Sequence, residues 1–170
     1  MARDLYVDAA LFMGMHSTDT AVRDACAAFF AAHLERPLVM TYEEVGRCDD
    51  VVWGYPRAAQ DAYYPFMDLL HSVMPVRRRA YTADDWLAFD RLPAPATALS
   101  PRERMLLAAV SAGGGELVTV NPRLLALTTP GLPVRGPEPA AGPVRFPDGT
   151  GTLDKLYDVS LELVVDHAAV

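Results

Sequence analysis

Four oxygen-bearing side chains stand at the boundaries of regular segments in this chain: Asp8, Glu44, Glu103 and Asn121. Asp8 interrupts the apolar run Leu5-Tyr6-Val7-Asp8-Ala9-Ala10-Leu11-Phe12, and Asp is a poor strand former, so its place there calls for an explanation. In an open α/β sheet the carboxyl ends of the strands face the ligand crevice, where an acid is exposed to chemistry. Glu44 and Glu103 fall at helix starts, and Asn121 follows the run Leu117-Val118-Thr119-Val120. Each position also has a purely local reading. Asp8 suits a turn or a helix cap, and Asn121-Pro122 suits a turn. Thr41-x-x-Glu44 and Ser100-x-x-Glu103 are capping boxes, the second with Pro101 at the first helical position. A capping box accounts for neither Asp8 nor Asn121.

The elements that must position these groups follow from hydrophobic periodicity. Residues 5–12 read as one short buried strand. A turn rich in capping residues leads to a helix over about residues 20–34, with Val22, Cys26, Phe29, Phe30 and His33 on its buried face. Leu38-Val39-Met40 reads as a second buried strand, and Thr41 to Glu44 opens a helix reaching about Gly54. Residues 56–74 are helical and aromatic, with Pro65 kinking or dividing the helix. Arg77, Arg78 and Arg79 lie on a short strand or a basic loop, and Thr82 caps a short helix carrying Trp86, Leu87 and Phe89. Pro93 and Pro95 mark a linker, after which Ser100 starts an apolar helix that Gly113-Gly114-Gly115 stops. The order predicts an α/β domain over residues 1–127, with a mostly parallel central sheet and helices on both faces. Residues 128–170 form a C-terminal extension, rich in Pro and Gly as far as 151 and packed on the same domain. Val144 to Phe146 suit a late strand. Residues 153–165 suit a helix or, by the alternation of Val159, Leu161, Leu163 and Val165, a strand.

Composition narrows the functional classes. At 170 residues with 51% apolar content the chain supports one domain with a real core. No apolar run approaches the roughly 20 residues that cross a bilayer, and no basic-then-apolar leader opens the chain, so a cytoplasmic protein without a membrane partner is expected. A net charge of −7 argues against coating duplex nucleic acid through bulk electrostatics, although carboxylates that hold cations would attract phosphate. Cys26 and Cys48 form neither a disulfide framework nor a metal knuckle.

The segments LYVDAALF, LVMTYEEVGR, ERMLLAAVSAGGG and ELVTVNPRLL, in this order across residues 5–125, resemble the PIN domain, a metal-dependent ribonuclease fold. The resemblance implies a three-layer fold with a mostly parallel sheet flanked by helices. It also implies divalent-metal-dependent hydrolysis of RNA phosphodiester bonds. Asp8 matches the first metal-binding Asp and Glu44 the second acid. Glu103 stands where the family usually has Asp, and Asn121 where it has Asp or a polar substitute. Thr119 matches the small hydroxyl residue before that last position. Asp8, Glu44 and Glu103 would then hold Mg²⁺ or Mn²⁺, hard ions that prefer oxygen ligands. Asn121 would orient water or a ligand, and Thr119 and His16 are candidate substrate contacts. Both departures weaken the metal shell: Glu103 reaches one bond further than Asp, and Asn121 carries no charge.

Single-stranded or structured RNA is the implied substrate, with a homodimer or a protein partner as the implied assembly. Two other readings stand beside the nuclease. One is a catalytically lapsed PIN-like domain serving as a binding or regulatory subunit. The other is a PIN-like protein of small-molecule metabolism, with a pocket shaped by the aromatic helical region. His16 equally suits a structural hydrogen bond in its loop, and Cys48 a small core residue.

Overall fold

The computed structural model describes residues 3–127 and 131–170. Five strands form a sheet in the order β3-β2-β1-β4-β5, every described pairing parallel. They are β1 (Leu5–Val7), β2 (Leu38–Thr41), β3 (Val76–Arg79), β4 (Glu116–Val118) and β5 (Val134–Arg135). The helices are α1 (Ala9–Gly14), α2 (Thr20–Ala32), α3 (Tyr42–Trp53), α4 (Arg57–Val73), α5 (Ala83–Phe89), α6 (Pro101–Ala112), α7 (Pro122–Leu125) and α8 (Thr152–Ser160). Two 3₁₀ turns, Ala94–Ala98 and His167–Ala169, complete the described elements.

Alternation along the strands builds the layers. Leu5 and Val7 of β1, Leu38 and Met40 of β2 and Val118 of β4 face a core shared with α1, α2, α4 and α8. Tyr6, Val39 and Leu117 point the other way, into a second core with Leu106, Leu107 and Val110 of α6. Burial of each large apolar side chain contributes about 1.5–3 kcal/mol, so both faces are strongly committed. The chain runs β1, β2, β3 outward in one direction and then returns to place β4 on the other side of β1. The carboxyl ends of β1 and β4 are therefore the topological switch point, where parallel sheets open a crevice.

Several sequence expectations need correction. Residues 5–12 are not one strand: β1 stops at Val7, and Ala9–Gly14 is helix. Every residue of α1 is buried, so no apolar period distinguishes helix from strand, and Asp8 is its N-cap. Pro65 lies inside α4 without dividing it. Val144, Arg145 and Phe146 are coil rather than strand, and the ambiguous segment is helical only over Thr152–Ser160. Phe146, Leu153, Leu163, Val165 and Val170 lie in the same core as β1. The boundary expected after residue 127 meets residues 128–130, which lie outside the described residues. No helix of the described residues is long and apolar enough to cross a membrane.

Close packing of α1 on α2 leaves no room at Gly14, where an added Cβ would lie 2.5 Å from the Cys26 Sγ and 3.1 Å from Val120 Cγ2. Gly14→Ala is expected to lower stability by about 1–3 kcal/mol through overpacking. Adding Cys26→Ala should recover part of that loss. Urea denaturation midpoints test both, and an unchanged midpoint in Gly14→Ala would contradict the packing.

Candidate active site

Parallel register places Val7 opposite Val118, so the next residues of β1 and β4 leave the sheet side by side. The Thr119 hydroxyl donates to Asp8 Oδ2 at 2.5 Å, and the Asn121 amide donates to Thr119 Oγ1 at 2.9 Å. Asp8 Oδ1 accepts from the Leu11 amide at 2.9 Å, a cap on the first turn of α1 that contributes about 1 kcal/mol. From the other side, Thr41 ends β2 and caps α3, its Oγ1 accepting from the Glu44 amide at 3.4 Å. The Glu44 carboxylate does not close that capping box. It crosses to α1, and its Oε2 accepts from the Ala9 amide at 2.9 Å. Two carboxylates thus share the amino end of one buried helix.

That pair is short of positive charge. Asp8 and Glu44 are 2% and 1% exposed. Among the described residues one arginine serves them directly: the Arg102 Nη1 donates to Glu44 Oε1 and Oε2 at 3.0 and 3.2 Å. Burial, reinforced by the Glu44 charge, pushes the Asp8 carboxyl up to about 7, against the pull of the Thr119 hydroxyl, the Leu11 amide and Arg102. Burial also raises Glu44, opposed by the Ala9 amide and Arg102. Desolvation and like charge act together here to favour protons, or another cation, on the pair.

Glu103 has the opposite character. It completes the Ser100 capping box, its Oε2 accepting from the Ser100 amide at 2.8 Å. Asn121 Nδ2 donates to Oε1 at 2.8 Å, and Arg123 grips both oxygens, Nε reaching Oε1 at 3.1 Å and Nη2 reaching Oε2. Burial resists its charge, but the donors from Arg123, Ser100 and Asn121 outweigh it and hold the carboxyl down at about 2. The four predicted positions therefore separate into two groups: Asp8 with Glu44, and Glu103 with Asn121. Among the described residues no three His, Cys, Asp or Glu side chains converge as a metal-ligand cluster. Arg102 and Arg123, which divide the acids in this way, were missed in the sequence. Their only signal there is nearness to Glu103 and Asn121.

His16 does not face the carboxylates. It is 1% exposed among Tyr63, Phe66 and Tyr157. The Ser160 hydroxyl donates to the Tyr157 carbonyl at 2.7 Å, so the His16 Nε2–H donates to Ser160 Oγ at 2.8 Å. Its Nδ1 is left without a partner among the described residues, and burial lowers the imidazole to about 3. Both cysteine thiols are raised by burial and stay protonated. Of the arginine run, Arg77 pairs with Asp4 and Arg79 with Asp85 and the Tyr6 hydroxyl. Arg78 points to the opposite face of β3, at a cavity of about 140 Å³ lined by Tyr63, Tyr64 and His71 of the aromatic helix.

The opposed carboxyl shifts give a pH signature. Asp8 binds its proton more tightly folded (about 7) than at its ordinary 3.8, so its contribution to stability is lost as pH rises from about 4 through about 7. Glu103, lowered from 4.5 to about 2, loses its contribution only as pH falls through that lower window. Between pH 4 and 8 the melting temperature of the wild type should fall relative to that of Asp8→Asn as pH rises, the opposite contribution of buried neutral His16 being common to both proteins. Parallel curves for the two proteins would contradict the Asp8 environment.

A chain in the crystal structure of VapBC2 from Rickettsia felis bound to a DNA fragment from their promoter has a similar structure. The TM-score is 0.60 at 9% identity, covering 79% of this chain and 98% of that one. At this identity the likeness is one of fold, and the all-parallel sheet flanked by helices is PIN-like. No curated protein matches the chain. A family model described as "Family of unknown function (DUF6190)" matches residues 1–170, and the chain belongs to that family.

Proposed function

We propose that this chain is a PIN-like phosphodiesterase that cleaves RNA with Mg²⁺ or Mn²⁺, recruited by Asp8 and Glu44. The observation that carries this reading is the buried Asp8–Glu44 pair at the switch point of the sheet, served directly among the described residues by Arg102 alone. Its donor chemistry fits a hard divalent ion. Mg²⁺ is commonly held by one or two carboxylates, with water and substrate phosphates filling its shell. Glu103 does not fit such an ion, because Arg123, Ser100 and Asn121 already engage its oxygens. Glu103 and Asn121 instead brace the start of α6 against the end of β4. Thr119 acts on Asp8 as an orienting partner, fixing one carboxylate oxygen and leaving lone pairs free. When bound, the ion would supply an activated water and charge stabilisation for the leaving oxygen.

The second reading, a lapsed domain acting as a binding or regulatory subunit, is favoured by the Arg123–Glu103 ion pair. That pair fills one acidic position of the pattern with an internal cation. Calorimetric Mn²⁺ titration with single-stranded RNA cleavage in the same samples separates the two. The nuclease reading predicts binding and cleavage in the wild type and neither in Asp8→Asn. It also predicts a loss of about 10–100-fold in Mn²⁺ affinity in Thr119→Val, as for other groups that orient a ligand. Absence of Mn²⁺ binding to the wild type at millimolar concentration would overturn it and favour the lapsed domain.

A further inference from the structure

We infer that residues 166–170 form an autoinhibitory strap that closes the Asp8–Glu44 site and must swing away for the site to work. The inference rests on reading that pair as the cation site. Arg102 carries the geometry: its Nη1 holds Glu44, while its Nη2 donates to the Val170 main-chain oxygen at 2.7 Å. Arg47, one turn along α3 from Glu44, donates to the Ala169 carbonyl at 3.3 Å and to the Val170 main-chain oxygen at 3.5 Å. The 3₁₀ turn His167–Ala169 packs on α1, the helix that Asp8 caps. The same stretch thus touches the helix under one carboxylate and the arginine on the other, and both acids are buried.

An anchored residue followed by a lightly held segment lets the strap open locally. Val165 is anchored: its amide donates to the His16 carbonyl at 2.8 Å, and its carbonyl accepts from the Thr18 amide at 3.0 Å. Leu163 and Val165 are buried in the core. Beyond this anchor, Asp166, Ala168 and Ala169 are exposed. Among the described residues four side-chain contacts hold this segment: the three arginine bonds and the Ser17 Oγ–His167 Nδ1 pair at 2.8 Å. Val170 adds a single buried apolar anchor. Segments with so few buried contacts open locally at low cost. Opening would also release one arm of Arg102, the direct internal cation of the pair.

The test uses the full chain carrying Arg47→Ala and His167→Ala together, which removes three of the four contacts and neither carboxylate. Amide hydrogen exchange across 166–170 reports release. Labelling of Asp8 and Glu44 by a water-soluble carbodiimide and an amine, read by mass spectrometry, reports access. Mn²⁺ calorimetry reports function. Faster exchange, labelling raised about tenfold and Mn²⁺ bound tighter by a similar factor are expected, because a rarely open site binds with reduced apparent affinity. Faster exchange with wild-type labelling would overturn the strap, as would exchange that stays at the wild-type rate. Raised labelling with no Mn²⁺ binding in either protein would uphold the strap and overturn the metal reading alone.

Discussion

The amino end of α1 is the constraint from which the rest of the site follows. A buried helix must find partners for its first amides, since an unpaired buried donor costs about 1–3 kcal/mol. Here Asp8 takes the Leu11 amide and Glu44 takes the Ala9 amide. Satisfying the helix thus forces two carboxylates together away from water. Their desolvation and mutual repulsion are the consequence, and a raised Asp8 carboxyl is how the consequence shows. Local structure and chemistry are not alternatives at Asp8: the cap geometry creates the charge problem that a cation would relieve.

The surrounding groups divide the labour. On the β4 side, Thr119 fixes Asp8, and Asn121 joins Glu103 and Arg123 in a closed set of mutually satisfied donors and acceptors. On the α3 side, Arg102 only partly compensates the pair, and it spends its other nitrogen on Val170. Val170 therefore belongs to the electrostatics of the site as well as to the core. Replacing that contact with solvent would alter the balance at Glu44 without moving a strand.

Much of the fold was legible because the buried runs at Leu5, Leu38 and Leu117 are short, apolar and bounded by turn residues. The extent of β1 was not, since the residues of α1 are all buried and carry no period. Asn121 was legible as a group that follows a strand and Asp8 as an acid out of place in an apolar run, and their neighbourhood follows from the switch in strand order. Glu44 and Glu103 looked alike in sequence, each the last member of a capping box. Only the structure shows that Glu103 closes its own box whereas Glu44 abandons its helix for α1. The arginines were illegible for a different reason. Arg102 meets Glu44 across 58 positions and Val170 across 68, separations that no local pattern encodes. The strap residues carry no motif, and their role rests on where the fold delivers them.

The account turns on a pair of carboxylates that hold a proton near neutrality for want of a second cation beside Arg102, and proton release on Mn²⁺ binding measures this most directly. Calorimetry at pH 6.5 in two buffers of different ionisation enthalpy counts the protons displaced. The account predicts release of about one proton, sharply reduced in Glu44→Gln, because metal ligands must shed their protons to bind. Binding without proton release, or release undiminished in Glu44→Gln, would show that the ion goes elsewhere and contradict the account.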